Sequence, residues 1–347
     1  MRFVLLLALC SISAAAQTVR IGILTLFHPR QLEIQPVGTA ALVVKCGSDR
    51  LILNGEPGHA KIYIRLESGQ LHCGTQVVSS ITVAARDGGA ADFTVSIPAK
   101  IARHLRGTLT ISANAEQLVA VVSMDIETAT ASIVAAESPP GAGTEALKAQ
   151  AVVARSFLYA GARHQDFDFC DTTHCQFLRQ PPAPGSPAFN ATQATRGLIL
   201  TWHGRPLAAM YSSRCGGSTS TLREIGISST GYPYFSVACA YCRRHPVKWT
   251  RALTRAEARD LARPDEQQRL ALGRQYGWSA IPGNHYISRQ SAGGVTLIGE
   301  GAGHGVGLCQ YGAAGMAAEG ASFGAILRHY YPETELASIP SLQNTQP

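Results

Sequence analysis

The chain has 347 residues, 46% of them hydrophobic and 15% charged, with a formal net charge of +7. That hydrophobic share excludes a disordered chain, and the length suits one large or two ordinary domains. The positive balance favours an anionic partner; in an exported protein that means an envelope polymer before nucleic acid, with plain solubility as the other reading.

The first segment is MRFVLLLALCSISAAAQ. Arg2, a short apolar run and Ala14-Ala15-Ala16 before Gln17 predict a signal peptide over residues 1–16. The run is too short to span a bilayer. A lipoprotein signal at Cys10 is disfavoured because Leu9 is not small. Cleavage after Ala16 would leave 331 residues and, with Arg2 gone, a charge of +6. The expected location is the periplasm, the cell envelope or the outside. Eight cysteines would remain, in a compartment where disulfides form, with about a hundred complete pairings open to them.

Residues 17–115 read as a β-rich region. VRIGILTL, ALVVKC, KIYIRLE, VSSITVAA, FTVSIPA and GTLTISA are short β-branched runs set apart by Gly, Asn and Asp turns. A bridge between Cys46 and Cys73 is expected, and no catalytic cluster stands out here.

The character changes at Asp125. DIETATASIVAAE predicts a helix capped by Asp125 and ended near Glu137 by Pro139 and Pro140. Thr144 is the expected N-cap of the next helix, with Glu145 in its first turn. Leu147, Ala151, Ala154 and Leu158 give it one apolar stripe, and Gly161 is its expected stop. Residues 164–180 form a Cys/His loop, and PPAPGSP reads as a linker or surface loop. GLILTW and PLAAMYSS read as a hairpin joined at His203-Gly204-Arg205. Residues 252–274 read as a polar peripheral helix. GGVTLIGEG is a strand feeding a glycine-rich turn. YGAAGMAAE and FGAILRHYY are short helices stopped by Gly320 and Pro332. The tail over 336–347 reads as disordered. The fold class expected is α+β, with the β-rich region followed by a mixed catalytic domain over 116–335 that carries a glycan-binding groove.

Glu137 is the first candidate for chemistry. The C-terminal end of an apolar helix disfavours negative charge, so its pKa should rise toward that of a general acid near neutral pH. A plain surface Glu at a helix end is the alternative.

Beyond Glu137 comes the run Glu145-Ala146-Leu147-Lys148-Ala149-Gln150-Ala151-Val152-Val153-Ala154-Arg155. Further on come Gly197-Leu198-Ile199-Leu200, Ala209-Met210-Tyr211-Ser212-Ser213 with Gly216-Gly217-Ser218-Thr219, and Gly303-His304-Gly305-Val306-Gly307-Leu308-Cys309-Gln310-Tyr311-Gly312-Ala313. Ile326-Leu327-Arg328-His329-Tyr330-Tyr331-Pro332 closes the series. This order resembles the stage II sporulation protein D family, the SpoIID/LytB domain of bacterial cell-wall enzymes, over roughly residues 115–335.

The resemblance implies a lytic transglycosylase acting on peptidoglycan, in some members on glycan strands lacking stem peptides, with Glu137 as the catalytic acid. Glu137 would protonate the β-1,4 glycosidic oxygen between N-acetylmuramic acid and N-acetylglucosamine. It would then take a proton from the muramic C6 hydroxyl as a 1,6-anhydro ring closes. Ordinary hydrolysis needs a second carboxylate, and none is obvious beside Glu137 in sequence. Glu145 is the rival acid, better suited to a helix start.

His304, in the glycine turn Gly301–Gly307, could bind substrate or hold the catalytic groups. The turn lacks the Gly-Lys-Ser/Thr of a phosphate loop. Gln310, Tyr311, Lys148, Arg155, Tyr211, Ser212 and Ser213 are the other expected groove residues, each with a packing or solvated reading beside it. His164, Cys170, His174 and Cys175 are a candidate structural zinc set, similar to the two-Cys, two-His site reported for some family members. A second set is Cys215, Cys239, Cys242 and His245. Disulfides compete with both. No organic cofactor is expected. Cys309 reads as a small packing residue. The competing function is a wall-binding module that stimulates an amidase; a zinc hydrolase is a third.

Overall fold

The computed structural model describes residues 17–229, 231–254, 257, 263–291 and 294–339. The expected signal peptide, the tail beyond Ile339 and part of the expected helix over 252–274 lie outside the described residues.

The N-terminal part is a strand-rich body, as its alternating runs require. In Ala91–Ile97, Ala91, Phe93 and Val95 point inward and alternate with half-exposed polar neighbours. Strand Ile101–Ala113 is shared by three pairings. Its first half joins Ala91–Ile97, and its second half joins Leu118–Asp125 and Ile81–Ala84. Gly107 sits where it passes between them; a Cβ there would stand 2.5 Å from the Ser123 carbonyl oxygen. Leu32, Ile34, Val44, Ile64, Phe93, Leu109, Ile111 and Val122 fill the core, each stabilising by about 1.5–3 kcal/mol relative to exposure. Cys46 and Cys73 are bonded.

This sheet positions the site. Strand Leu118–Asp125 runs directly into helix α1 (Ile126–Glu137), so sheet bonding continues past the expected break at 115–116. Its neighbour Thr18–Ile23 pairs on its other side, in parallel, with Phe169–Cys170. The sheet therefore anchors both the helix that ends in Glu137 and the loop that carries the Cys/His cluster. Gly22 makes room for the Phe167 ring, 2.7 Å from where a Cβ would lie.

Asp125 caps α1 through bonds of 3.0 Å from the Glu127 and Thr128 N–H groups. The helix stops because Ser138 precedes Pro139 and takes extended backbone. Helix α2 (Thr144–Tyr159) departs from expectation twice. Gly143 holds the N-cap position, with Thr144 the first helical residue. Burial is also nearly all round instead of one stripe, because the helix packs against α1 and four further elements. Those include α3 (Pro187–Ala194), which begins inside the expected linker with Ser186 as cap and Pro187 in its first turn.

Strand Leu198–Trp202 turns at His203-Gly204 into the short strand Arg205–Pro206. Tyr211–Ser212 does not extend that hairpin; it pairs in parallel with Leu308–Cys309. A five-residue helix α4 (Ala240–Arg244) follows. The expected helix over 252–274 begins instead as the end of strand Lys248–Thr254, and helix α5 runs Glu266–Tyr276. That strand, Gly294–Glu300 and Tyr286–Ser291 form a small sheet with its own core of Trp249, Ile281, Tyr286, Val295 and Leu297. Helices α6 (Gln310–Ala318) and α7 (Phe323–Tyr330) close the domain. Strand Glu335–Ser338 then pairs with Leu198–Trp202, so the expected disordered tail starts with ordered backbone.

Candidate active site

Glu137 ends α1, half-buried, and its carboxylate accepts a short hydrogen bond from the Phe177 N–H. Burial pushes its pKa up to about 7. The Phe177 N–H, the Tyr211 hydroxyl and the Arg179 charge oppose that rise. Burial has won, because one neutral N–H, one hydroxyl and a guanidinium do not replace the lost hydration.

The Cys/His loop supplies most of these partners. Gln176 is buried, with its Nε2 donating to the Ala154 carbonyl at 3.1 Å and its Oε1 accepting from the Tyr211 hydroxyl at 3.0 Å. Arg179 lies 3.2 Å over the Phe177 ring and donates to the Asp171 carbonyl. Asp171 is a second buried acid, pushed up to about 6 by burial against the Leu24 N–H and the Arg103 charge. Neither carboxyl is among the groups acting on the other.

The glycine turn reaches this site through Tyr211. Gly301, Gly303, Gly305 and Gly307 all have φ between 70° and 90°, a region only glycine enters freely. A Cβ on Gly307 would run into the Met210 carbonyl. The close backbone approach is thus to the protein's own strand. His304 Nδ1 accepts from the Val306 N–H at 3.1 Å, and the ring also hydrogen-bonds the Tyr211 backbone. Burial lowers its pKa and keeps the ring neutral. His304 therefore ties the turn to the strand that carries Tyr211. Ser213 serves through its backbone, its carbonyl accepting from the Tyr311 N–H at 3.2 Å. The hydroxyls of Ser138 and Ser212 are buried without a partner among the described residues.

Four expected groove residues are engaged elsewhere. Arg155 is fully buried and bonds Glu127 at 2.6 and 2.9 Å, with the Leu198 and Thr192 carbonyls completing its shell. It joins α1, α2 and α3 from inside. Lys148 pairs with Glu145 at 2.7 Å, and Glu145 also accepts from the Phe323 N–H at the start of α7. Gln310 is buried against Gln150 at 3.4 Å. Tyr311 lies under the Arg214 guanidinium, 3.5 Å from the ring centroid.

His164, Cys170, His174 and Cys175 converge, with all four ligand atoms within 4.8 Å of one another. His164 Nε2 lies 3.2 Å from the Cys175 sulfur, and His174 Nδ1 lies 3.6 and 3.8 Å from the two sulfurs. Hydrogen bonding from Cys175, then His174 and Thr172, pulls the Cys170 thiol down against burial. Two sulfurs and two imidazoles at this spacing fit a closed tetrahedral zinc set. Sequence reasoning does not single out Gln176, Phe177, Arg179 or Asp171. The signal available for them was adjacency to these four ligands; for Phe177 the working group is a backbone N–H, which no residue type reveals.

Residues 114–202 match the family model described as stage II sporulation protein, SpoIID. The chain is 27% identical over 250 residues to an uncharacterized protein of Brachyspira hyodysenteriae, covering 62% of this chain and 67% of that one. It is 25% identical over 272 residues to stage II sporulation protein D of Bacillus amyloliquefaciens, covering 64% and 76%. It is also 23% identical over 288 residues to the amidase enhancer of Bacillus subtilis, covering 58% of this chain and 39% of that protein. The matched family segment contains Glu137 and the whole Cys/His loop, and stops before Tyr211 and the glycine turn.

Proposed function

We propose, from a chain that carries a SpoIID domain and is homologous to stage II sporulation protein D, that it is an exported lytic transglycosylase of peptidoglycan glycan strands. The observation that supports this most is one half-buried carboxyl, Glu137, at the end of α1, with a pKa near 7 that suits a general acid. A two-carboxylate hydrolase needs its partner within roughly 5–9.5 Å. A single carboxyl can instead serve twice.

Protonated Glu137 gives its proton to the glycosidic oxygen, and the bond to the muramic C1 breaks. The carboxylate that remains is steadied by the Phe177 N–H, the Tyr211 hydroxyl and the Arg179 charge. It then accepts the proton of the muramic C6 hydroxyl as that oxygen bonds C1. The proton returns to Glu137 and no water is consumed.

Zinc on His164, Cys170, His174 and Cys175 would be structural, since four protein ligands leave no open position. It would hold the loop that presents Phe177, Gln176 and Arg179. The partner is peptidoglycan, with or without stem peptides, and the positive charge suits an anionic envelope polymer. Similarity to an amidase enhancer supports a second reading, a wall-binding module that stimulates an amidase.

The test is mass spectrometry of peptidoglycan, intact and denuded, after incubation with wild type and Glu137→Gln. Release of 1,6-anhydro products by wild type alone is expected. Reducing-end products would replace the reading with hydrolysis. No release, together with stimulation of an added amidase, would favour the binding module.

A further inference from the structure

Four cysteines from three distant segments meet away from the Cys/His loop. Cys215 follows strand Tyr211–Ser212, Cys239 and Cys242 bracket the first turn of α4 as a Cys-x-x-Cys, and Cys309 is the N-cap of α6. All four are buried, and their sulfurs all lie within 4.8 Å of one another. His245, the fourth member expected from sequence, is exposed and stacks on Tyr241 instead. Cys309 takes its place, so it is more than a packing residue.

We propose that Cys215, Cys239, Cys242 and Cys309 form a second metal site, a structural tetrathiolate zinc centre. The spacing carries the argument. Zinc–sulfur bonds of about 2.3 Å in a tetrahedron put the sulfurs about 3.8 Å apart, and Cys242 and Cys309 lie 3.6 Å apart. Two disulfides would draw the sulfurs together in pairs at about 2.05 Å. In the same molecule Cys46 and Cys73 are bonded and these four are not. Tetrahedral sulfur sets select zinc or iron, and a closed, buried set without a redox partner suits zinc.

The surroundings suit bound thiolates. The Gly312 N–H points at the Cys309 sulfur at 3.4 Å, and the Tyr330 hydroxyl at the Cys239 sulfur at 3.6 Å. Such donors stabilise metal-bound sulfur. Gly312 leaves the space they share; a Cβ there would come within 2.6 Å of the Cys239 sulfur. The centre also has a mechanical consequence. Ser212 and Cys309 are partners in the parallel pairing beside Tyr211 and Leu308. Fastening Cys309 and Cys215 to α4 fixes the strand that holds Tyr211 and the end of the glycine turn together.

The test is metal content of the full chain, purified without chelator or added reductant, by inductively coupled plasma mass spectrometry for zinc and iron. His164→Ala with His174→Ala removes the other cluster and should leave about one zinc per chain. Adding Cys242→Ser and Cys309→Ser should remove it. No zinc in the first variant, or iron in its place, overturns the proposal. Should the quadruple variant fail to fold, wild type is denatured with chelator, alkylated and peptide-mapped. Alkylation of all four cysteines, with zinc released, supports the centre; disulfide-linked peptides among them overturn it.

Discussion

The Tyr211 hydroxyl donates to Gln176 Oε1 across 3.0 Å and borders the Glu137 carboxyl. That contact joins the Cys/His loop, the end of α1 and the strand tied down by His304. When Glu137 ionises, the one hydroxyl proton turns to it from Gln176 and so works against burial by favouring the charged carboxylate.

Tyr211→Phe should therefore raise the Glu137 pKa further. The descending limb of the pH–activity profile should move to higher pH, while maximal turnover falls because the carboxyl is less well oriented. A profile of anhydro-product release checks both. An unchanged limb would mean the hydroxyl does not act on Glu137.

Wild-type activity should fall about tenfold per pH unit once pH exceeds the Glu137 pKa, since the protonated acid starts the reaction. Stability should follow the same group. The folded pKa of about 7 lies above the ordinary 4.5, so the folded state holds the proton more tightly. The stabilisation is full below pH 4.5 and is lost as pH rises to about 7. Glu137→Gln should remove this slope, with a difference of at most about 3 kcal/mol between the two plateaus. Denaturant titrations at several pH values measure it.

Arg155→Ala should cost about 3–5 kcal/mol, because it leaves Glu127 charged and buried without its partner. The loss should appear in denaturation midpoints. KM for glycan, measured where the variant is folded, should stay near the wild-type value; a raised KM would restore Arg155 to the groove.

Breaking the proposed zinc set with His164→Ala and His174→Ala should lower the melting temperature and the activity together, as a structural ion requires. Calorimetry and product release, measured for that variant beside wild type, test this without stripping the Cys215 centre as a chelator would. Activity lost while the melting transition stays fixed would make the metal catalytic.

Much of this arrangement is written in short stretches of chain. Alternation marks the strands, Asp125 starts α1, and Pro139 ends it at Glu137. The four residues of the Cys/His cluster lie within a dozen positions, so their convergence is legible before any fold is known. These features depend on backbone preferences and spacing, which act locally.

The remainder is set by burial and by contacts between distant segments. Arg155 reads as a groove cation until α1 and α3 close over it and supply Glu127. Cys309 reads as filler until the pairing of Leu308 with Tyr211 carries it to Cys215, Cys239 and Cys242. Arg179 and the Phe177 N–H become partners of Glu137, and Gln176 of Tyr211, only because Phe169–Cys170 joins the edge of the N-terminal sheet. The sequence by itself determined where α1 starts and stops, and so where Glu137 stands, and the local Cys/His cluster. The tertiary structure alone decided which charges lose their water and which sulfurs meet, because desolvation and long-range packing are properties of the closed fold and not of any segment.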